Sequence, residues 1–227
     1  MRMRKKKNLQ PRMESCETCW IKEPKELRGT WHTLMPEAKE IHLELGCGKG
    51  RFTCEMAQTH PDVLFLAVER VPDAMIIAME RAVSMGMCNV FFIDGDAEVL
   101  SDYFAEGEVD RIYINFCDPW PGHRHARRRL THEGFLKRYR AVLKEKGEIH
   151  FKTDNRDLFE YSLFQFPKAG YELSEVTRHL HQHGVVGVMT DYEEKFHTQG
   201  MPIHRCVGTK GDLSLPKEVE ADSKEEA

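Results

Sequence analysis

Short apolar runs alternate with longer amphipathic segments through most of this chain, and that alternation limits the folds open to it. Ile41–Leu45, Leu64–Val68, Val90–Ile93, Ile112–Phe116 and Glu148–Lys152 read as core strands. Between them lie helix-like stretches near Arg51–Gln58, Asp73–Met85, Thr131–Lys144 and Arg156–Pro167. This order predicts an α/β fold: an open, mostly parallel sheet with helices on both faces. Tyr171–Thr177 and Ile203–Val207, with a helical segment near Asp191–Thr198 between them, bring the expected sheet to seven strands.

A length of 227 residues suits one domain with a sizeable core and short extensions. We expect a basic, mobile N-terminal arm over 1–30, a domain over 31–210 and an acidic, disordered tail over 211–227. The net charge of -4 hides this layout. Arg2, Arg4, Lys5, Lys6 and Lys7 open the chain, and Glu218 to Ala227 is mostly acidic, so the body is more basic than the total. The seven cysteines are odd in number and fall mostly in apolar segments. No signal peptide or long apolar span is evident, so the expectation is free thiols, a cytoplasmic location and no membrane. Cys16 and Cys19 form a lone C-x-x-C without a second ligand pair. His179, His181 and His183 alternate, as on one side of an extended strand, without an adjacent acid or cysteine. Neither group predicts a metal.

Glycines and acids recur where the predicted strands end. Glu44-Leu45-Gly46-Cys47-Gly48-Lys49-Gly50 follows the first core strand. A dinucleotide loop reads G-x-G-x-x-G and sets a helix N-terminus on a pyrophosphate. Here Gly46, Gly48 and Gly50 alternate, and Glu44 precedes them. A carboxylate there repels a pyrophosphate and suits a cation such as a sulfonium, which favours S-adenosylmethionine over NAD. Glu69 ends the second strand and suits ribose hydroxyls. Asp96 follows the third and suits an adenine amino group, while the neighbouring Asp94-Gly95 is also a turn signal. Asp118 follows the fourth strand, and Lys152, Thr153 and Asp154 lie at the end of the fifth. Ligands of open α/β sheets bind at these carboxyl ends.

Asp118 sits within Asn115-Phe116-Cys117-Asp118-Pro119-Trp120-Pro121, and His123, Arg124, His125, Ala126, Arg127, Arg128 and Arg129 follow. Guanidinium groups in such a run suit phosphates. Three adjacent arginines cannot share one helix face, so at least one is expected to serve packing or an ion pair. The run Arg2–Lys7 is a second electrostatic candidate.

These motifs, with Arg127-Arg128-Arg129-Leu130-Thr131, His150-Phe151-Lys152-Thr153-Asp154-Asn155 and Thr190-Asp191-Tyr192-Glu193-Glu194-Lys195-Phe196, occur in an order that resembles the bacterial tRNA (guanine-N7-)-methyltransferases of the TrmB family. The resemblance covers about Trp31 to Val207. It implies a Rossmann-like class I methyltransferase fold, S-adenosylmethionine as cofactor, and tRNA as partner with the guanosine at position 46 of the variable loop as target. It implies cofactor contacts at Glu44, Gly46, Gly48, Gly50, Glu69, Asp96 and Asp118, with Asp118 the catalytic acid. It further implies substrate contacts at Asp154, Thr190, Asp191, Tyr192 and Glu193, and RNA contacts over Arg124–Arg129. One departure is visible. Members commonly carry a basic residue after D-P-W-P, where this chain has Gly122, then His123 and Arg124.

Guanine N7 has an in-plane lone pair and no proton, so its methylation requires no general base. The task is alignment and charge: a carboxylate near the ring, Asp118 or Asp154, would orient the base and favour the developing cation. The base must leave its stack, and Trp120 or Tyr192 offers a stacking face. Competing readings are methyl transfer to another acceptor and a tRNA-binding protein on an inactive methyltransferase fold. The basic run after Pro121 opposes the first, and the full set of glycines and acids opposes the second. Monomer and homodimer are both compatible with the sequence.

Overall fold

The computed structural model describes residues 5–211. Arg2, Arg4 and residues 212–227 of the expected acidic tail lie outside the described residues. In chain order the elements are α1 (Leu9–Glu14), β1 (Trp20–Ile21), β2 (Glu40–Leu45), α2 (Arg51–Thr59), β3 (Val63–Glu69), α3 (Pro72–Ser84), β4 (Val90–Asp94) and α4 (Leu100–Tyr103). They continue as β5 (Val109–Asn115), α5 (Glu133–Val142), β6 (Leu143–Thr153), α6 (Arg156–Lys168), β7 (Tyr171–Thr177), α7 (Asp191–Thr198) and β8 (His204–Lys210).

The sheet order is β1-β4-β3-β2-β5-β6-β8-β7. β1 to β6 run parallel to one another, and β8 is antiparallel to both β6 and β7. Every residue of β3 is buried. Its alternate side chains enter two different cores, as the two-residue period of a strand dictates. Phe65 and Ala67 pack with Phe52, Cys54, Met75 and Met79 of α2 and α3. Leu64, Leu66 and Val68 join the core that holds Leu136, Tyr139, Phe159 and Phe166 of α5 and α6. Helices therefore cover both faces, and a strand buried on both sides reads as a continuous apolar run.

Three expectations are corrected. Among the described residues the sheet has eight strands rather than seven, because Trp20 and Ile21 pair parallel with Phe92 and Ile93 on β4. Two residues carry no readable periodicity. The described part of the expected mobile arm is packed: Met13, Cys16 and Cys19 are buried with the α2 and α3 side chains. The arm boundary at 30/31 thus marks no break in packing; Trp31 beyond it is fully buried against Phe104. Finally, the helix predicted to reach Lys144 stops at Val142, and Leu143 turns extended (φ -75°, ψ 137°) directly into β6.

Candidate active site

The chain leaves β2 toward β3 and β4 on one side of the sheet, and leaves β5 toward β6 on the other. β2 and β5 are neighbours, so their carboxyl ends form the topological switch point where open α/β sheets bind ligands. The turn Gly46–Gly50 and the segment Phe116–Pro121 flank this point.

The glycines of the turn serve two purposes. Gly46 and Gly48 have φ of 79° and 57°, and no atom lies within 4 Å of where a Cβ would stand. The backbone there adopts a conformation that other residues resist, beside open space. Gly50 is different: a Cβ would come within 2.4 Å of Ala78 Cβ on α3. That glycine permits α2 and α3 to touch.

The strand-end acids divide into a framework set and a free set. Glu44 is 2% exposed. It accepts hydrogen bonds from Thr53 Oγ1 on α2 and, at 3.0 Å, from Asn115 Nδ2 on β5. Burial raises its pKa, and the bonds from Thr53 and Asn115 and the charge of Lys152 oppose the rise. The carboxylate bridges β2, α2 and β5. Asn115 Oδ1 is buried without a partner among the described residues. Glu69 accepts from Gly48 N–H at 2.8 Å and Val71 N–H at 2.9 Å, so it holds the glycine turn. Asp96 accepts from Glu98 N–H at 2.9 Å and lies 3.5 Å from Arg70 Nη1.

Asp118 and Asp154 make no hydrogen bond or ion pair among the described residues. Their strands are adjacent, with Asn115 opposite Lys152. Two free carboxylates thus follow neighbouring strands at the ligand edge, Asp118 exposed and Asp154 half-buried. The segment carrying Asp118 is strained, with φ of 53° at Phe116 and 41° at Trp120. Such values cost energy and recur at functional sites. Arg129 holds this turn: it donates to Pro119 O at 3.0 Å and to Trp120 O at 3.1 and 3.3 Å, and its guanidinium lies over Tyr161. Arg129 is the packing arginine of the three. Arg128 stacks on Trp120 with 5.0 Å to the ring centroid, while Arg124 and Arg127 are exposed. His123–Arg128 is one short 3₁₀ turn, with His125 and Ala126 half-buried.

Glu193 is held on both oxygens. It is fully buried, accepting from Lys152 Nζ at 2.6 Å and bonding His181 Nε2 at 2.9 Å. Val186 N–H donates to His181 Nδ1 at 3.1 Å, so Nε2 carries the proton given to Glu193. Glu193 and Thr190 form a reciprocal capping box at the start of α7. The T-x-x-E spacing is the signature of that motif and was readable in the sequence. His181 is accordingly a buried structural histidine in a turn, not part of a strand. Outside, Arg51 of α2 pairs with Glu194 and lies 3.8 Å from Asp191, while Arg81 of α3 lies 4.0 Å from the same carboxylate. Tyr192 is 58% exposed and stacks on Phe196, which lies 6.2 Å from Phe116. Of the expected substrate contacts, Asp154 and Tyr192 remain available. The linking residues Thr53, Arg51 and Arg81 were missed, because nothing local in the sequence ties them to their partners.

Among the described residues no three His, Cys, Asp or Glu side chains are grouped to hold a metal, and no helix is long and apolar enough to cross a membrane. A groove of about 620 Å³ lined by Arg51, Arg81, Val188 and Asp191 flanks α7, away from the free acids.

The fold matches that of the 16S rRNA methyltransferase KamB, with a TM-score of 0.63 at 17% identity over 81% of this chain and 94% of that one. A 16S rRNA (adenine(1408)-N(1))-methyltransferase from Catenulisporales acidiphilia gives 0.57 at 16% identity, covering 85% and 93%. Sheet order and glycine turn thus define a class I methyltransferase fold. Residues 38–206 match the family described as "Putative methyltransferase". The tRNA (guanine-N(7)-)-methyltransferase of Geobacillus kaustophilus (strain HTA426) is 43% identical over 91% of this chain and 95% of its own length. That of Bacillus licheniformis is 48% identical over 82% and 87%. The chain belongs to the tRNA (guanine-N(7)-)-methyltransferase family.

Proposed function

We propose that this protein transfers a methyl group from S-adenosylmethionine to N7 of a guanosine in tRNA, at position 46 of the variable loop as the family resemblance implies, and that it works in the cytoplasm. The observation that carries this reading is the pair of free carboxylates, Asp118 and Asp154, beside an open glycine turn.

The residues present fit the cofactor. Gly46 and Gly48 leave space against the backbone, and Asn115 Oδ1 is a buried acceptor without a donor. Glu69 and Asp96 keep lone pairs beyond those used by the backbone, which suit ribose hydroxyls and an adenine amino group. When bound, S-adenosylmethionine supplies a methyl group on a positively charged sulfur. Glu44 and Glu69 act behind this site by fixing the turn and the β2–β5 seam.

N7 attacks with its own lone pair, so no residue needs to remove a proton. Asp118 and Asp154 accept from the guanine N1–H and exocyclic amine and favour the charge that the ring acquires. Tyr192, held by Phe196 and Phe116, offers its face to the displaced base. Arg124, Arg127 and Arg128 grip backbone phosphates, and His123 and Arg124 occupy the ground of the basic residue absent at Gly122. Thermal melting with S-adenosylhomocysteine and with NAD tests the cofactor assignment. A rise with the first alone is expected, and a rise with NAD alone would refute it.

A further inference from the structure

A second basic segment reaches the ligand edge of the sheet. α1 is fastened to α3 by Arg12, whose guanidinium meets both carboxylate oxygens of Glu80 at 2.7 Å each. Earlier in the chain, the backbone N–H of Lys6 donates to Asp73 Oδ1 at 2.5 Å. Asp73 lies on the first turn of α3 and Glu80 two turns later, about 10 Å along the axis. The chain therefore runs back along α3 toward its N-terminus, just past the strand-end acid Glu69. Lys5–Lys7 stand at the same edge as the glycine turn and Asp118. Lys5 and Lys7 are exposed, Lys6 is half-buried, and none of the three side chains closes an ion pair among the described residues.

The two basic segments lie on opposite sides of the cleft. One follows β5, the other borders the start of α3 after β3, and β2 lies between those strands. Two strand spacings separate β3 from β5, about 10 Å. Lys49, exposed in the glycine turn, and Arg70, exposed on the β3–α3 turn and 3.5 Å from Asp96, add positive charge at this edge of the sheet. Asp96, Glu69, Asp118 and Asp154 stand at or just beyond the ends of β4, β3, β5 and β6, an acidic row along the centre of the edge that both basic segments border. A polyanion is repelled by the centre and attracted by both rims, which leaves a base over the acids and its flanking phosphates on either side.

We propose that Lys5, Lys6 and Lys7 form a second backbone contact for the RNA substrate, opposite the Arg124–Arg128 rim. The inference rests on the reading of tRNA as substrate. It gives the packed arm a function that its burial alone does not.

The test uses the full chain with Lys5→Gln, Lys6→Gln and Lys7→Gln combined, beside a variant with arginine at the same three positions. Filter binding of unmodified tRNA is measured across sodium chloride from about 0.05 to 0.2 M. The glutamine variant is expected to show a log–log salt slope shallower by about 2 and affinity lower by about tenfold. The arginine variant is expected to bind as wild type, and both are expected to keep the wild-type melting temperature and S-adenosylhomocysteine affinity. A wild type that binds with a slope the glutamine variant shares would overturn this inference and leave the substrate assignment intact. A lowered melting temperature with an unchanged slope would assign the lysines to packing and overturn it equally. Failure of the wild type to bind tRNA would overturn both readings.

Discussion

Lys152 on β6 and Glu193 on α7 meet at 2.6 Å with Glu193 fully buried. The pair ties α7, the helix that carries Tyr192, to the strand that ends just before Asp154. Lys152 also donates to Val188 O at 3.0 Å, which secures the segment leading into α7. Burial lowers the Lys152 pKa, and Glu193 opposes that shift. Removing one partner of a buried pair leaves the other charge uncompensated, at a cost of about 3 kcal/mol. Glu193→Gln is therefore expected to lower the urea midpoint substantially. A raised KM for tRNA with unchanged stability would instead return Glu193 to the substrate site.

The glycine turn separates by position. Gly50→Ala puts a Cβ against Ala78 at φ 72° and is expected to cost about 3 kcal/mol of stability. Gly48→Ala meets no protein atom within 4 Å, so it is expected to cost about 1 kcal/mol of backbone strain. Its larger effect is expected on S-adenosylhomocysteine affinity, by about tenfold or more. Denaturation and ligand titration of the two variants check this. Equal behaviour in both measurements would deny the division.

Neighbouring arginines are expected to fail differently. Arg129→Ala removes the donors to Pro119 O and Trp120 O and is expected to cost about 2 kcal/mol, with a fall in kcat as the strained turn relaxes. Arg127→Ala is expected to leave stability unchanged and to reduce the salt slope of tRNA binding by about 1. The opposite pattern would exchange their roles.

His150 lies on β6, with Nε2 2.8 Å from Glu148 Oε2. Burial pushes its pKa down to about 4; Glu148 opposes the shift and Arg111 adds to it. Between about pH 6.5 and pH 4 the unfolded chain takes up a proton that the folded chain refuses. Stability is thus complete above that window and falls as pH falls through it, by about 3 kcal/mol from this group. Urea midpoints across the window check the sign. His150→Gln is expected to flatten the profile, and a profile unaltered by the substitution would remove His150 as its source.

The sequence and the structure agree where local pattern governs. The apolar run Leu64–Val68 announces a strand buried on both faces, and the acids at strand ends follow from its neighbours. What the sequence concealed is long-range pairing. Glu44 reads as a strand-end acid, and only the structure finds Thr53 and Asn115 on its two oxygens. Glu193 gives no sign in sequence of Lys152, its partner 41 residues away. Arg129 is indistinguishable from Arg127 in sequence, and only the carbonyls of Pro119 and Trp120 separate them. Trp20–Ile21 is too short to carry a period. Thr190-x-x-Glu193 is the exception: the spacing of a capping box is a local signal present in the sequence.

Asp118 is assigned to orientation and charge rather than proton transfer. Asp118→Asn is expected to lower kcat about 100-fold while the tRNA Kd stays within about twofold. The pH profile of kcat is expected to show no fall on the acidic side of neutrality from protonation of a general base, since N7 carries no proton. Undiminished turnover by the variant would remove Asp118 from the reaction.

The most direct measurement is the fate of a labelled methyl group. Unmodified tRNA is incubated with the protein and methyl-labelled S-adenosylmethionine, digested to nucleosides and separated by chromatography. Label in 7-methylguanosine is the expected result. Label in any other nucleoside, or none in tRNA while S-adenosylhomocysteine binds, would contradict guanine-N7 methyl transfer.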